Sequence, residues 1–446
     1  SFMDAIREEQ PGWAYARGFE LSGKKNARLE QEALALCRGK DVVLFFAGLR
    51  DTEEAESYDR LHLELPETQN ALIEKIASVN PNVVVLLHTG SPLRLPWLGK
   101  VKAVLLMGLG GQMVGTAALD LLLGRANPSG KLAETWPLAL EDTPAYGQFG
   151  KRFHTQYRES VFVGYRYFES FERPVQFPFG YGLSYSTFSI DGLEVNRTSL
   201  AVGEGLEVSV RVTNTSSRAG KEVLQLYVSP PASAIFRPRK ELKAFQKVEL
   251  APGESRAINF KLQHGDFAYW NARVHAWHCE AGEYRLLLGT SAADTPLEAV
   301  VKVFIDQPDV SVPDYSQSAP GYYAYGTGSL QVSDANYEAL YGRSLPLDPQ
   351  GETKPYDLNS TLWDARKRLR GKLLEVILKR EGRKRVSGGG EYQEANDRIV
   401  DASIMDAPLR SYALGGVPMR VPEAIALILN GKVVKAIRKL LEREKA

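Results

Sequence analysis

The chain has 446 residues, 44% hydrophobic and 24% charged, a globular composition with room for about two to four domains. Lys plus Arg number 55 and Asp plus Glu 54, a formal charge of +1 that argues against a nucleic-acid or acidic-membrane partner. Two cysteines, Cys37 and Cys279, exclude a disulfide scaffold, and no apolar run approaches the roughly twenty residues that span a bilayer.

In chain order, Arg28 to Cys37 has helical spacing, and Asp41 to Gly48 reads as a buried strand. Pro66 to Val79 follows as an amphipathic helix with proline at its start. Asn82 to Leu87 and Val101 to Leu106 are short apolar runs, and Gly115 to Gly124 is a small-residue helix. The alternation predicts an α/β fold over 1–190: an open, mostly parallel sheet with helices on both faces. Functional loops in such folds sit at the carboxyl ends of the strands, so the loop after Phe46 is the first place to look.

From about Ser184 the period changes to two. Leu206, Val208, Val210 and Val212 alternate with polar residues, and strand-like runs follow at 223–228, 242–250, 256–262 and 284–288. The turn Ala251-Pro-Gly-Glu254 separates two of them. The pattern predicts an all-β sandwich of immunoglobulin or fibronectin type over 191–306.

The remainder, 307–446, begins Pro-, Tyr- and Gly-rich and turns mainly helical. Two basic stretches, Ala365 to Arg385 and Pro422 to Glu444, carry apolar residues at helical spacing, among them Leu369, Leu373 and Ile377. They are expected to be amphipathic helices with a solvated Lys/Arg face rather than RNA- or membrane-binding elements. Glu381 to Gly390 reads as a loop.

Several local features have ordinary readings. His275, His278 and Cys279 lack the paired spacing of a zinc site, so no metal is expected. Gly108, Gly110 and Gly111 lack both nucleotide-binding spacings and are expected to permit a tight strand-to-helix turn. Asn196-Arg-Thr198 and Asn214-Thr-Ser216 fit a glycosylation pattern that is common by chance. Ser1 is not an initiator Met, so the missing leader peptide carries little weight, and the compartment is read as cytoplasmic.

Four ordered segments carry a family resemblance. They are Glu54-Ala-Glu-Ser-Tyr-Asp-Arg60 with Leu65-Pro-Glu-Thr-Gln69; Leu109-Gly-Gly-Gln112 through Asn127-Pro-Ser-Gly-Lys131 to Thr135-Trp-Pro137; Tyr157-Arg-Glu159 through Phe177-Pro-Phe-Gly-Tyr-Gly-Leu-Ser-Tyr185; and Lys240-Glu-Leu-Lys-Ala-Phe245 with its Pro-Gly-Glu turn. Together they resemble the C-terminal portion of family 3 glycoside hydrolases, and the tail, with Met405-Asp-Ala-Pro-Leu-Arg410, is similar to an extension in one bacterial branch. The resemblance implies a (β/α)8 barrel, an α/β sandwich and a fibronectin type III-like domain, of which this chain matches the last two. It also implies a retaining mechanism without cofactor, acting on β-glucosides or short oligosaccharides, with β-xylosides as an alternative.

The family's nucleophile is an Asp in a Ser-Asp-Trp segment of the barrel. Here the only Ser-Asp, Ser333-Asp334, is followed by Ala. The resemblance therefore implies that a barrel, in cis or on a second chain, is the partner that supplies the nucleophile.

Retention needs two carboxyl groups about 5–5.5 Å apart, one attacking the anomeric carbon and one protonating the leaving oxygen. By motif position Glu56 is the candidate acid/base, with Glu54 and then Glu159 as rivals. Without the motif, Asp51, Glu53, Glu54 and Glu56 would be a solvated acidic run. Asp59 and Arg60 are expected to form a loop-shaping ion pair. A non-catalytic carbohydrate-binding or scaffold module is the competing reading, and a homo-oligomer stays open.

Overall fold

The computed structural model describes residues 2–56, 58–149, 154–305, 310–346, 355–386 and 393–442. Its first part comprises α1 (Phe2–Glu9), α2 (Ala27–Cys37), β1 (Val43–Gly48), α3 (Glu67–Val79), β2 (Val83–His88), β3 (Ala103–Leu106) and α4 (Val114–Leu122). The three strands are parallel and adjacent in the order β1-β2-β3.

Strand alternation distributes the apolar run of β1 between the two faces of this sheet. Phe45 and Ala47 pack with Cys37, Leu72, Ile73 and Ile76 beneath α2 and α3. Leu44 and Phe46 turn the other way, towards Phe2, Ile6, Leu86 and Ala118 under α1 and α4. Because both faces are covered, the strands read as unbroken hydrophobic runs. Helix α1 carried no signal in the sequence reading; only its contact with the second face shows why Phe2 and Ile6 are apolar. Between β3 and α4, Gly108 and Gly111 adopt φ of 59° and 67°, the left-handed backbone that a tight turn requires.

The next part is a β-sandwich. Its five-stranded sheet runs Glu241–Leu250, Gly220–Ser229, Gly282–Gly289, Leu297–Val303 and Ser199–Leu200 in spatial order. The facing sheet has Ser255–Gln263, Gly205–Asn214 and Phe188–Val195. Leu206, Val208, Val210 and Val212 all point into the shared core, where they meet Leu224, Leu226, Ile258, Phe260, Leu286 and Val301. The period of two in the sequence is this inward row.

The C-terminal extension is mainly helical, as expected, but its segments differ in detail. The second basic stretch is two helices, Arg420–Leu429 and Val433–Leu441, because Gly431 turns at φ 83° between them. The first runs Leu369–Val386, so residues 381–386 are helical rather than loop; 387–390 lie outside the described residues. Leu369, Leu373 and Ile377 are exposed, whereas Leu374 and Leu378 enter the core with Met405, Ile425 and Leu429. The neighbouring helices pack along the Gly371–Leu374–Leu378 row, which puts the predicted apolar row on the outer side. Before these helices, an aromatic segment packs Tyr322 against Phe162, Phe168, Phe171 and Phe236.

Candidate active site

The acidic loop leaves the carboxyl end of β1. Gln69 of α3 grips its root: Gln69 Nε2 donates to the Gly48 carbonyl at 2.9 Å, and Gln69 Oε1 accepts from the Gly48 amide at 3.0 Å. Gly48 also passes so near β2 that a Cβ there would stand 2.7 Å from the His88 carbonyl oxygen. The motif glutamine thus clamps the strand end from which the loop departs.

The loop's carboxylates do not share one environment. Glu53 pairs with Arg50 at 2.6 Å and also accepts from the Arg50 amide. Glu54 accepts from the Gly90 amide at 2.9 Å and from Ser91 Oγ at 3.1 Å, which ties it to the loop after β2. Glu56 is exposed, and among the described residues no hydrogen bond or ion pair engages its carboxylate. Tyr58 donates its hydroxyl to the Asp51 carbonyl at 3.3 Å, folding the loop back on itself.

The expected Asp59–Arg60 pair is not formed. Arg60 donates to Ser91 Oγ at 2.8 Å and to the carbonyl of Pro92, while Asp59 is exposed. The β2 loop offers the guanidinium a half-buried socket of fixed acceptors, and this outweighs a solvated neighbour. Burial lowers the Arg60 pKa from its usual value, with Glu54 and Glu53 acting in the opposite direction.

A contact with no sequence signal comes from the C-terminal extension. Arg398, in the helix Gln393–Asp406, donates to the Thr52 carbonyl and lies 4.8 Å from the centre of the Tyr58 ring.

Other motif residues serve junctions rather than this loop. Asn127 Nδ2 donates to Ser186 Oγ and to the Ala219 carbonyl, and its Oδ1 accepts from Ser184 Oγ and the Tyr185 amide. Lys131 pairs with Glu222 at 2.7 Å and donates to the Gly182 carbonyl. Phe177 stacks with Tyr181 and meets the edge of Trp136, so these rings are packing elements. Glu159 sits in a turn beside Arg158, whose carbonyl accepts from Tyr322 of the aromatic segment. Ser333 caps the helix Asp334–Tyr341, and Asp334 pairs with Arg158, which accounts structurally for the lone Ser-Asp. Among the described residues no group of three His, Cys, Asp or Glu could hold a metal ion, and no helix is long and apolar enough to cross a membrane.

A parallel sheet with a carboxylate-bearing loop at its strand ends, joined to a fibronectin-like sandwich, defines a class that the comparisons make specific. Residues 1–185 match the glycosyl hydrolase family 3 C-terminal domain, and residues 222–292 match a fibronectin type III-like domain. The thermostable β-glucosidase B of Acetivibrio thermocellus is 44% identical over 291 residues, 65% of this chain and 38% of that protein. An exo-α-(1→6)-L-arabinopyranosidase of Bifidobacterium breve is 41% identical over 297 residues, 66% of this chain and 39% of that protein. The crystal structure of the Bifidobacterium adolescentis family 3 β-glucosidase aligns with a TM-score of 0.67 at 39% identity, covering 74% of this chain and 48% of that one. Residues 1–185 thus form a family 3 glycosyl hydrolase C-terminal domain, followed by a fibronectin type III-like domain. The chain spans less than half the length of each of these relatives.

Proposed function

We propose that the chain contributes the acid/base to a retaining β-glycosidase, a β-glucosidase by its relatives' names, with Glu56 in that role. The observation that carries this reading is the division of labour in the loop. Glu53 and Glu54 are held by Arg50, Gly90 and Ser91, while the Glu56 carboxylate is exposed and unengaged at the strand end. A general acid must reach the leaving oxygen, and a carboxylate spent on the loop's own amides cannot. The nucleophilic Asp comes from a barrel outside this chain, about 5–5.5 Å from Glu56 in the assembled site. In that site the barrel wall desolvates Glu56, which favours the protonated form needed for donation.

A further feature supports a loop that meets another surface: Leu61 and Leu109 beside it are strongly exposed. The sandwich and the extension act as scaffold, within domain limits at 1–190, 191–306 and 307–446.

The test is hydrolysis of an aryl β-glucoside by this chain, by its barrel, and by the two together. Turnover only by the combination, lost in Glu56→Gln, supports the reading; turnover by this chain alone would place the nucleophile within it. No turnover under any condition would favour the binding or scaffold reading. An aryl α-L-arabinopyranoside run in parallel decides which sugar is preferred, since relatives at 41% identity carry that name.

A further inference from the structure

The C-terminal extension lies far from the acidic loop in sequence, yet Arg398 makes two contacts with it. Its Nη1 donates to the Thr52 carbonyl, on the incoming side of Glu56. Its guanidinium also covers the ring of Tyr58, on the outgoing side, at 4.8 Å. One side chain therefore fastens both shoulders of the short stretch that bears Glu56.

Other anchors hold the loop as well, one of them, Glu54, within this stretch on its incoming side. Glu54 is tied to Gly90 and Ser91, and Arg60 to Ser91 and Pro92. The Tyr58 hydroxyl is fixed by the Asp51 carbonyl, and Arg398 lies over the face of its ring. Only a guanidinium suits both tasks, donating in its plane to a carbonyl while presenting its face to an aromatic ring.

We propose that Arg398 is a positioning residue for the acid/base: it holds loop 50–60 from the C-terminal extension and so sets where the Glu56 carboxyl points. The proposal rests on the reading of Glu56 as acid/base. It gives the helical extension a part in catalysis beyond packing.

The experiment uses the full-length enzyme, barrel included, and two substrates. A dinitrophenyl β-glucoside has a leaving group that departs without protonation; an alkyl β-glucoside requires the acid. A misplaced acid lowers kcat/KM, which reports the glycosylation step, on the second and not on the first, whereas general loss of structure lowers it on both. Arg398→Ala is expected to lower kcat/KM on the alkyl glucoside at least about tenfold more than on the dinitrophenyl glucoside. Arg398→Lys, which keeps a donor and a charge, should recover part of that difference. Tyr58→Leu removes the ring but leaves the Thr52 contact, and decides the matter if Arg398→Ala does not fold. Its loss should show the same preference for the alkyl substrate.

Equal losses on both substrates in these variants, or none, would overturn the proposal. Glu56→Gln is measured alongside. If it lacks the leaving-group preference, the acid/base assignment itself fails; if it shows the preference and the Arg398 variants do not, only the positioning role falls.

Discussion

Side by side in the sequence, Asp51, Glu53, Glu54 and Glu56 are chemically equivalent, and their different fates come from partners elsewhere. Glu54 takes its hydrogen bonds from Gly90 and Ser91 after β2, and Glu53 takes Arg50. The Glu54 assignment could not be foreseen, because proximity of the two strand ends is a property of the sheet, whereas the Glu53–Arg50 pair is local to the loop. A locality error produced the expected Asp59–Arg60 pair: adjacent opposite charges suggest a bond, but Arg60 is turned into the Ser91–Pro92 socket. A residue beside that socket yields a pH prediction. His88 is half-buried at the end of β2, and desolvation lowers its pKa from the usual value of 6.5. The unfolded chain therefore binds a proton that the native chain resists. Stability should be fully present above about pH 6.5 and fall as pH drops below it, until the native pKa is reached. His88→Asn should flatten that part of the slope, measured as the difference in urea stability between variant and parent from pH 7.5 downward. A variant whose slope matches the parent's would show that His88 titrates alike in both states. The backbone carbonyl of His88, which accepts from Leu49, is untouched by the change.

Elements were legible where one face or both faces impose a repeat. The strands β1 and β2 and the inward row Leu206 to Val212 were visible because burial forces apolar residues at a fixed period. Where tertiary packing chooses between two apolar rows, the sequence offered no means of deciding. The helix Leu369–Val386 carries both a Leu369–Leu373–Ile377 row and a Leu374–Leu378 row, and only the second is covered. Arg398 illustrates the limit most plainly, since its partners Thr52 and Tyr58 belong to another part of the chain. The join between elements that matters most to the loop is Gln69, buried in α3 and doubly bonded to Gly48. Gln69→Leu keeps the apolar bulk but leaves a buried amide and carbonyl unpaired, which should cost about 1–3 kcal/mol. Urea unfolding should show a lower midpoint with an unchanged slope. An unchanged midpoint would mean the strand end finds other partners. Activity with the barrel should fall as well, because the loop departs from this clamp.

At the scale of the molecule, the α/β part and the sandwich are joined by a set of polar groups as well as by the aromatic cluster of Phe162, Phe171 and Phe236. Asn127 reaches Ser184, Tyr185, Ser186 and Ala219, and beside it Lys131 meets Glu222 with both side chains nearly buried. The segment Asn127-Pro-Ser-Gly-Lys131 carries part of the family resemblance, yet its work here is to couple two folding units. That resemblance could identify the segment but not its task, because Ala219 and Glu222, which Asn127 and Lys131 reach, lie in the sandwich. A buried pair of this kind is worth little against an apolar replacement, but removing one partner strands the other charge. Lys131→Ala should therefore cost up to about 3–5 kcal/mol, whereas Lys131→Ala with Glu222→Ala should cost much less than the sum of the two single changes. Calorimetry separates this from a local defect. If the pair couples the units, the single variant should split one cooperative transition into two, with the sandwich retaining its own core of Leu226, Phe260 and Leu286. A single transition merely shifted to lower temperature would mean that the aromatic segment around Tyr322, packed against Phe162 and Phe236, holds the units together instead.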